Sequence, residues 1–200
     1  PWQGDLRVAG LDPRQMPEDE RRKVIGVVPQ AVQLFSGTVL ENLTLGDANV
    51  PFAAVENAAI TAGADAFIRS LPQGYDTSVN SGSGGGVQLS SGQRQLLSLA
   101  RALVWNPPVL LFDEATSAID SASEAAFRQA LEQESSRHQR AILTVAHRLS
   151  TARAADRVIV LDNGRILEIG APDELVRQGG RFAALLELEA AGWDWRNNPT

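Results

Sequence analysis

The most constraining feature of this sequence is an apolar run that ends in two acidic residues. Val109-Leu110-Leu111-Phe112 is followed directly by Asp113 and Glu114. Such a run is typical of a strand buried on both faces of a parallel sheet, and sheets of this kind open into a site at their carboxyl end. The run therefore predicts a central strand over 109–113 with two carboxylates at its tip.

Strand and helix patterns alternate along the rest of the chain. Strands are predicted at 24–28, 141–145, 157–161 and 165–169, and helices at about 91–105, within 38–70, just after 150, at 172–178 and at 181–190. This alternation predicts an α/β fold with a largely parallel central sheet. Asn163-Gly164 between two apolar runs predicts a β-hairpin. A further short strand is expected between the glycines at 4 and 10.

Composition narrows the functional classes. The net charge of −6 disfavours a nucleic-acid partner, because a phosphate backbone requires a basic face. The absence of cysteine excludes disulfides and cysteine-ligated zinc. No apolar run approaches the roughly 20 residues that a membrane helix needs. With 200 residues and 44% hydrophobic content, the chain suits one globular domain.

Two carboxylates at the tip of a central strand suit phosphoryl transfer. One acid can hold Mg²⁺ there, and its neighbour can orient the attacking water. The competing interpretation is that Asp113 and Glu114 only cap a helix or form a surface ion pair. The motif by itself leaves both open.

A second pattern, Leu89-Ser90-Ser91-Gly92-Gln93, lies at the predicted start of a helix. Hydroxyl groups, a glycine and free backbone N–H groups at a helix N-terminus form an anion site. The alternative is an ordinary helix cap by Ser90 or Ser91. A phosphate-binding loop would read G-x-x-x-x-G-K-[ST]. That pattern is absent, since the only lysine, Lys23, is followed by Val24.

Together these motifs resemble the nucleotide-binding domain of ATP-binding cassette (ABC) transporters, over about residues 4–186. The segments that carry the resemblance are LSSGQRQLLSLARAL from Leu89, LLFDEATSAID from Leu110 and VAHRLST from Val145. The sequences of these segments are most similar to those of the exporter branch of the family. The resemblance implies a P-loop NTPase-like ABC ATPase domain over 1–200, with a helical subdomain at about 38–103 and a catalytic α/β core in the remainder.

The resemblance also implies roles for individual residues. Glu114 matches the catalytic carboxylate beside the attacking water, and His147 matches the histidine that contacts the γ-phosphate. Asp113 matches the acid that supports Mg²⁺. Gln30 matches the glutamine that touches metal or water and faces the transmembrane domain. ATP and Mg²⁺ are therefore the expected ligands.

The signature motif of the family meets the γ-phosphate of ATP held by the opposite domain. Its matching positions, all expected to bind nucleotide, are Leu89, Ser90, Ser91, Gly92 and Gln93. Asp120 ends the loop that couples the two sites across the dimer. The expected partners are the transmembrane domain of an exporter and a second nucleotide-binding domain, in a homodimer or heterodimer. The expected location is the cytoplasmic face of the cell membrane, where ATP hydrolysis powers transport.

The sequence departs from the family pattern at three places. Ser91 stands where exporters usually have glycine, and Gly84 stands where a glutamate is common. The family places its P-loop before the segment with which this sequence opens, so a truncated domain that is inactive alone is expected. Two other functions stay open: a non-transport ABC ATPase, and a non-catalytic cassette that completes a partner's site.

Overall fold

The computed structural model describes residues 4–79, 86–113, 140–146 and 149–191. The chain divides into two compact units, residues 1–145 and residues 146–200. Helices in the first unit are α1 (Glu18–Val24), α2 (Val39–Thr44), α3 (Phe52–Thr61), α4 (Asp65–Ser70) and α5 (Ser91–Leu103). Its strands are β1 (Ile25–Val28), β2 (Gly37–Thr38), β3 (Ser78–Val79), β4 (Val109–Asp113) and β5 (Ala141–Val145).

The parallel sheet of the first unit confirms the predicted sheet type. Strands β1, β4 and β5 pair in that order, and both pairings are parallel. Helix α5 lies so close to β1 that only glycine fits at position 26. A Cβ there would stand 2.8 Å from the carbonyl oxygen of Ala102 and 2.7 Å from the side chain of Leu110. The sheet is thus fixed directly against the helix that begins at Ser91.

The helices between β1 and β4 form one apolar core with that sheet. Leu43, Val55, Ile68 and Leu97 are fully buried, each on a different helix of this group. The short strands β2 and β3 pair antiparallel beside them. Val87 is joined to β3, since its N–H donates to the Ser78 carbonyl at 3.0 Å.

The second unit contains the predicted hairpin. Strands β6 (Val158–Asp162) and β7 (Arg165–Gly170) pair antiparallel. Asn163 and Gly164 form the turn, both with positive φ, as a two-residue hairpin requires. Among the described residues of this unit, three helices accompany the hairpin: α6 (Leu149–Arg153), α7 (Pro172–Gln178) and α8 (Arg181–Ala190).

The strand expected between the glycines at 4 and 10 is wrong. Ala9 and Gly10 have positive φ values of 51° and 81° and reverse the chain. Val8 and Leu11 consequently form an isolated bridge through two backbone hydrogen bonds of 2.8 and 3.0 Å. Left-handed residues within the segment prevent it from extending as a strand.

Candidate functional site

Two of the predicted ligand residues lie at one edge of the parallel sheet. Val28, the last residue of β1, is in register with Phe112, so β1 and β4 end side by side. Gln30 follows β1 by two residues, and Asp113 ends β4. Neighbouring strands are about 4.8 Å apart, and both side chains are exposed at this edge. A carboxylate and an amide oxygen are hard donors of the kind Mg²⁺ prefers.

Strand β5 runs to the same edge on the other side of β4. Val145, its last residue, is the register partner of Asp113. His147 comes two residues later in the sequence and lies outside the described residues, as do Glu114 and Asp120. Their predicted roles stay predictions.

The Leu89–Gln93 segment forms the N-terminal turn of α5, with Ser90 as its cap. The Ser90 Oγ accepts a hydrogen bond from the Gln93 N–H at 3.1 Å, and the Gln93 Oε1 accepts one from the Ser90 N–H at 3.0 Å. This reciprocal pair is a capping box. Ser90 and Ser91 are exposed, whereas Leu89 and Gly92 are buried. The buried residues fix the turn in the core while the hydroxyls face outward.

An arginine that the motif assignment left out also shapes this turn. The Arg94 Nη1 donates to the Leu89 carbonyl at 2.9 Å. Together with the capping box, this bond fixes the backbone on both sides of Ser90. The first N–H groups of a helix have no partner within the helix, and the helix dipole makes this end positive. The anion site expected at this turn from the sequence stays a prediction.

Two further residues that sequence reasoning missed, Asn42 and Arg101, connect α5 to the chain just after Gln30. The Arg101 Nε donates to the Asn42 carbonyl at 2.8 Å, and its Nη1 donates to the Gln33 carbonyl at 3.1 Å. A basic residue in an otherwise apolar helical stretch is a signal for such a role, but the partner lies 59 residues away in sequence. Burial lowers the pKa of the Arg101 guanidinium.

Two negative findings apply to the described part of the chain. It holds no group of three or more His, Cys, Asp or Glu side chains arranged to bind a metal ion. In the same ranges, every helix is too short or too polar to span a membrane.

Comparison with known proteins gives a family match and relatives that agree with each other. The family model described as ABC transporter matches residues 1–117. The mitochondrial potassium channel ATP-binding subunit of Xenopus tropicalis is 43% identical over 94% of this chain and 27% of the relative. The ATP-dependent lipid A-core flippase of Aromatoleum aromaticum is 45% identical over 93% of this chain and 30% of the relative.

A solved structure is similar as well. A bacterial Atm1-family ABC exporter with ATP bound superposes with a TM-score of 0.79 at 38% identity, over 95% of this chain and 32% of the exporter chain. The chain thus spans less than a third of the length of these relatives.

Proposed function

This chain belongs to the ABC transporter family, and we propose that it is the ATP-hydrolysing part of a membrane exporter. It has the ABC ATPase form of the P-loop NTPase fold. The observation that carries the proposal is the sheet register, which brings Gln30 and Asp113 to one edge of the same unit that presents the Ser90-capped helix. Within that unit, the proposed helical subdomain at about 38–103 contains α2 to α5.

One half of the proposed site uses the sheet edge. Asp113 and Gln30 would hold Mg²⁺, and the ion would supply positive charge next to the phosphate oxygens. Glu114 follows Asp113 directly in sequence and polarises the attacking water, while His147 contacts the γ-phosphate. Donor chemistry supports the first assignment, since both residues offer the oxygen ligands that this ion requires.

The other half of the proposed site uses the N-terminal turn of α5. The Ser90 Oγ is already an acceptor for the Gln93 N–H, so its hydroxyl hydrogen is free to donate to a phosphate oxygen. Exposed hydroxyls and a positive helix end suit the γ-phosphate of ATP held by another domain. The proposal therefore requires a second nucleotide-binding domain, with Asp120 coupling the two sites. It also requires a transmembrane domain, which places the chain at the cytoplasmic face of the membrane.

The direct test uses the full-length protein in lipid vesicles with Mg²⁺ and ATP. We expect Glu114→Gln to abolish turnover while ATP binding is kept, because the amide has nearly the same shape but cannot act as a base. Asp113→Asn should raise the Mg²⁺ concentration needed for half-maximal activity. The matched control is Glu20→Gln, an exposed carboxylate on α1 that should change neither property. Unchanged ATPase activity in Glu114→Gln would remove this residue from its role.

A further inference from the structure

The positively charged guanidinium of Arg101 on α5 is hydrogen-bonded to neutral oxygen atoms. Its guanidinium donates to the Asn42 and Gln33 carbonyls, and its Nη2 donates to the Asn42 Oδ1 at 3.2 Å. The ring centroid of Phe35 lies 5.5 Å from its central carbon, within cation–π range. The side chain is half-buried. A desolvated charge is costly unless it is hydrogen-bonded, and here three donors are used.

Asn42 completes the connection to the same segment. It is 1% exposed. Its Nδ2 donates to the Phe35 carbonyl at 2.9 Å and to the Thr38 carbonyl at 3.0 Å, and its Oδ1 accepts from the Phe35 N–H at 2.8 Å. Both donors and both acceptor positions of the amide are thus in use. The backbone at Phe35 is consequently fixed to α2 and, through Arg101, to α5.

These bonds bracket Gln30 between two anchors. On one side, Val28 is fully buried and paired with Phe112 in the sheet. On the other side, Gln33 and Phe35 are bound by the pair on α2 and α5. The path of the chain through Gln30 is therefore set from both sides, by the sheet before it and by α2 and α5 after it.

We propose that Arg101 and Asn42 form a strut that positions Gln30 relative to the signature turn at Ser90. Arg101 lies ten residues after Ser91 on the same helix, which is about 15 Å at 1.5 Å per residue. Because a helix is stiff over this length, the strut makes the segment after Gln30 follow α5. This inference rests on the proposed function for its effect on turnover, but its structural part stands independently.

Arginine is required at this position for a geometric reason. Its planar fork reaches two backbone carbonyls and a side-chain oxygen at once, whereas lysine is a compact point charge on a flexible stem. Methionine keeps most of the apolar stem and donates no hydrogen bond. The series Arg101, Arg101→Lys and Arg101→Met therefore removes the fork first and then the charge.

The experiment uses the full-length protein, with hydrogen exchange measured in the absence of nucleotide. In Arg101→Met we expect the Phe35 amide to exchange about tenfold or more faster, since its acceptor on Asn42 loses its support. The amide of Ala62, which directly follows the neighbouring helix α3 and is bonded to the Ala58 carbonyl at 2.9 Å, serves as an internal reference. Arg69→Lys is the matched control variant, because Arg69 pairs with Asp65 and Glu56 in the same unit and does not touch the strut.

The rate of Mg²⁺-dependent ATP hydrolysis then distinguishes a positioning role of Arg101 from a role in stability alone. We expect kcat of Arg101→Met to fall about tenfold with KM for ATP changed less than about twofold, as a loss of alignment without loss of binding predicts. Arg101→Lys should recover part of the rate, and Arg69→Lys should match the wild type. If Arg101→Met does not fold, Arg101→Lys must show the same split at smaller amplitude.

The outcomes are distinguishable. Unchanged exchange at Phe35 overturns the strut, whether or not the protein hydrolyses ATP. Faster exchange with unchanged kcat overturns its positioning role. If the wild type lacks Mg²⁺-dependent ATPase activity, the proposed function fails, and the exchange measurement alone decides whether the strut exists.

Discussion

The hydroxyl of Ser90 is proposed to have two roles, as the cap of α5 and as a hydrogen-bond donor to phosphate, and substitutions can separate them. Its Oγ caps α5 by accepting from the Gln93 N–H at 3.1 Å, while its hydrogen is available to a phosphate oxygen. Ser90→Ala removes both capacities. Ser90→Asp keeps the cap, because aspartate is as good as serine at this position and its charge suits the positive helix end. The same charge repels phosphate.

Loss of the cap and loss of the bond to phosphate are expected to cost different free energies. Losing the cap costs about 1 kcal/mol, which lowers the unfolding midpoint of a domain of this size by about 2–4 °C. A hydrogen bond to a charged group contributes about 1.5–3 kcal/mol, which corresponds to a roughly 10- to 150-fold loss of rate. Ser90→Ala should therefore be slightly less stable and much less active. Ser90→Asp should be as stable as the wild type within about 0.5 kcal/mol and equally inactive.

The chain supplies a matched control in a second capping box. At the start of α2, the Thr38 Oγ1 accepts from the Glu41 N–H at 3.0 Å, and the Glu41 Oε2 accepts from the Thr38 N–H at 2.8 Å. Thr38→Ala removes a cap of the same geometry that is not proposed to meet nucleotide. We expect it to reproduce the stability loss of Ser90→Ala without the loss of ATPase activity.

The assay is Mg²⁺-dependent ATP hydrolysis by the full-length protein, with thermal unfolding measured on the same preparations. A Ser90→Asp protein that folds normally and hydrolyses ATP at the wild-type rate would refute the reasoning. In that case the turn serves as a cap alone.

Three further predictions concern stability. Gly26→Ala should destabilise the first unit by about 1–3 kcal/mol in urea unfolding, because its Cβ meets the backbone of α5. Glu168→Ala should lower the unfolding midpoint of the second unit, since its carboxylate accepts from the N–H groups of Arg181 and Phe182 at the start of α8. Burial alone would raise the pKa of Asp65, but hydrogen bonds from Tyr75 and Arg69 lower it below 3.8. The ionised Asp65 therefore stabilises the fold above pH 3.8, and this stabilisation is lost as the pH falls through the lowered pKa. When the free energy of unfolding is measured against pH, Asp65→Asn should show a smaller loss of stability in acid.

Local patterns predicted the elements that depend on local physics. Helices α7 and α8 have the bounds predicted for two closing helices, and strands β4 and β5 also have the predicted bounds. Helix α1 was not predicted, because it has no buried residue and hence no apolar period. Its acidic first turn and basic last turn are the signals that identify it.

Long-range contacts were beyond such reasoning. The bonds between Arg101 and Asn42 span 59 residues, and no spacing rule relates the two positions. The close approach at Gly26 depends on how α5 crosses β1, which follows from packing rather than from either segment. By contrast, the S-x-x-Q spacing of Ser90 and Gln93 does encode the capping box, which the tertiary structure only makes visible.

The sequence left a helix cap and an anion site as competing interpretations of the turn at Ser90, but the geometry makes them compatible. A cap uses the oxygen lone pair of a serine, and an anion uses its proton, so one hydroxyl can serve both. The cap also holds the hydroxyl in place before any ligand arrives, which reduces the entropy that binding must remove. On this argument a conformationally looser turn would bind phosphate more weakly even with every donor retained. Arg94→Met, which removes the hydrogen bond to the Leu89 carbonyl but none of the residues expected to bind nucleotide, should therefore raise KM or lower kcat for ATP.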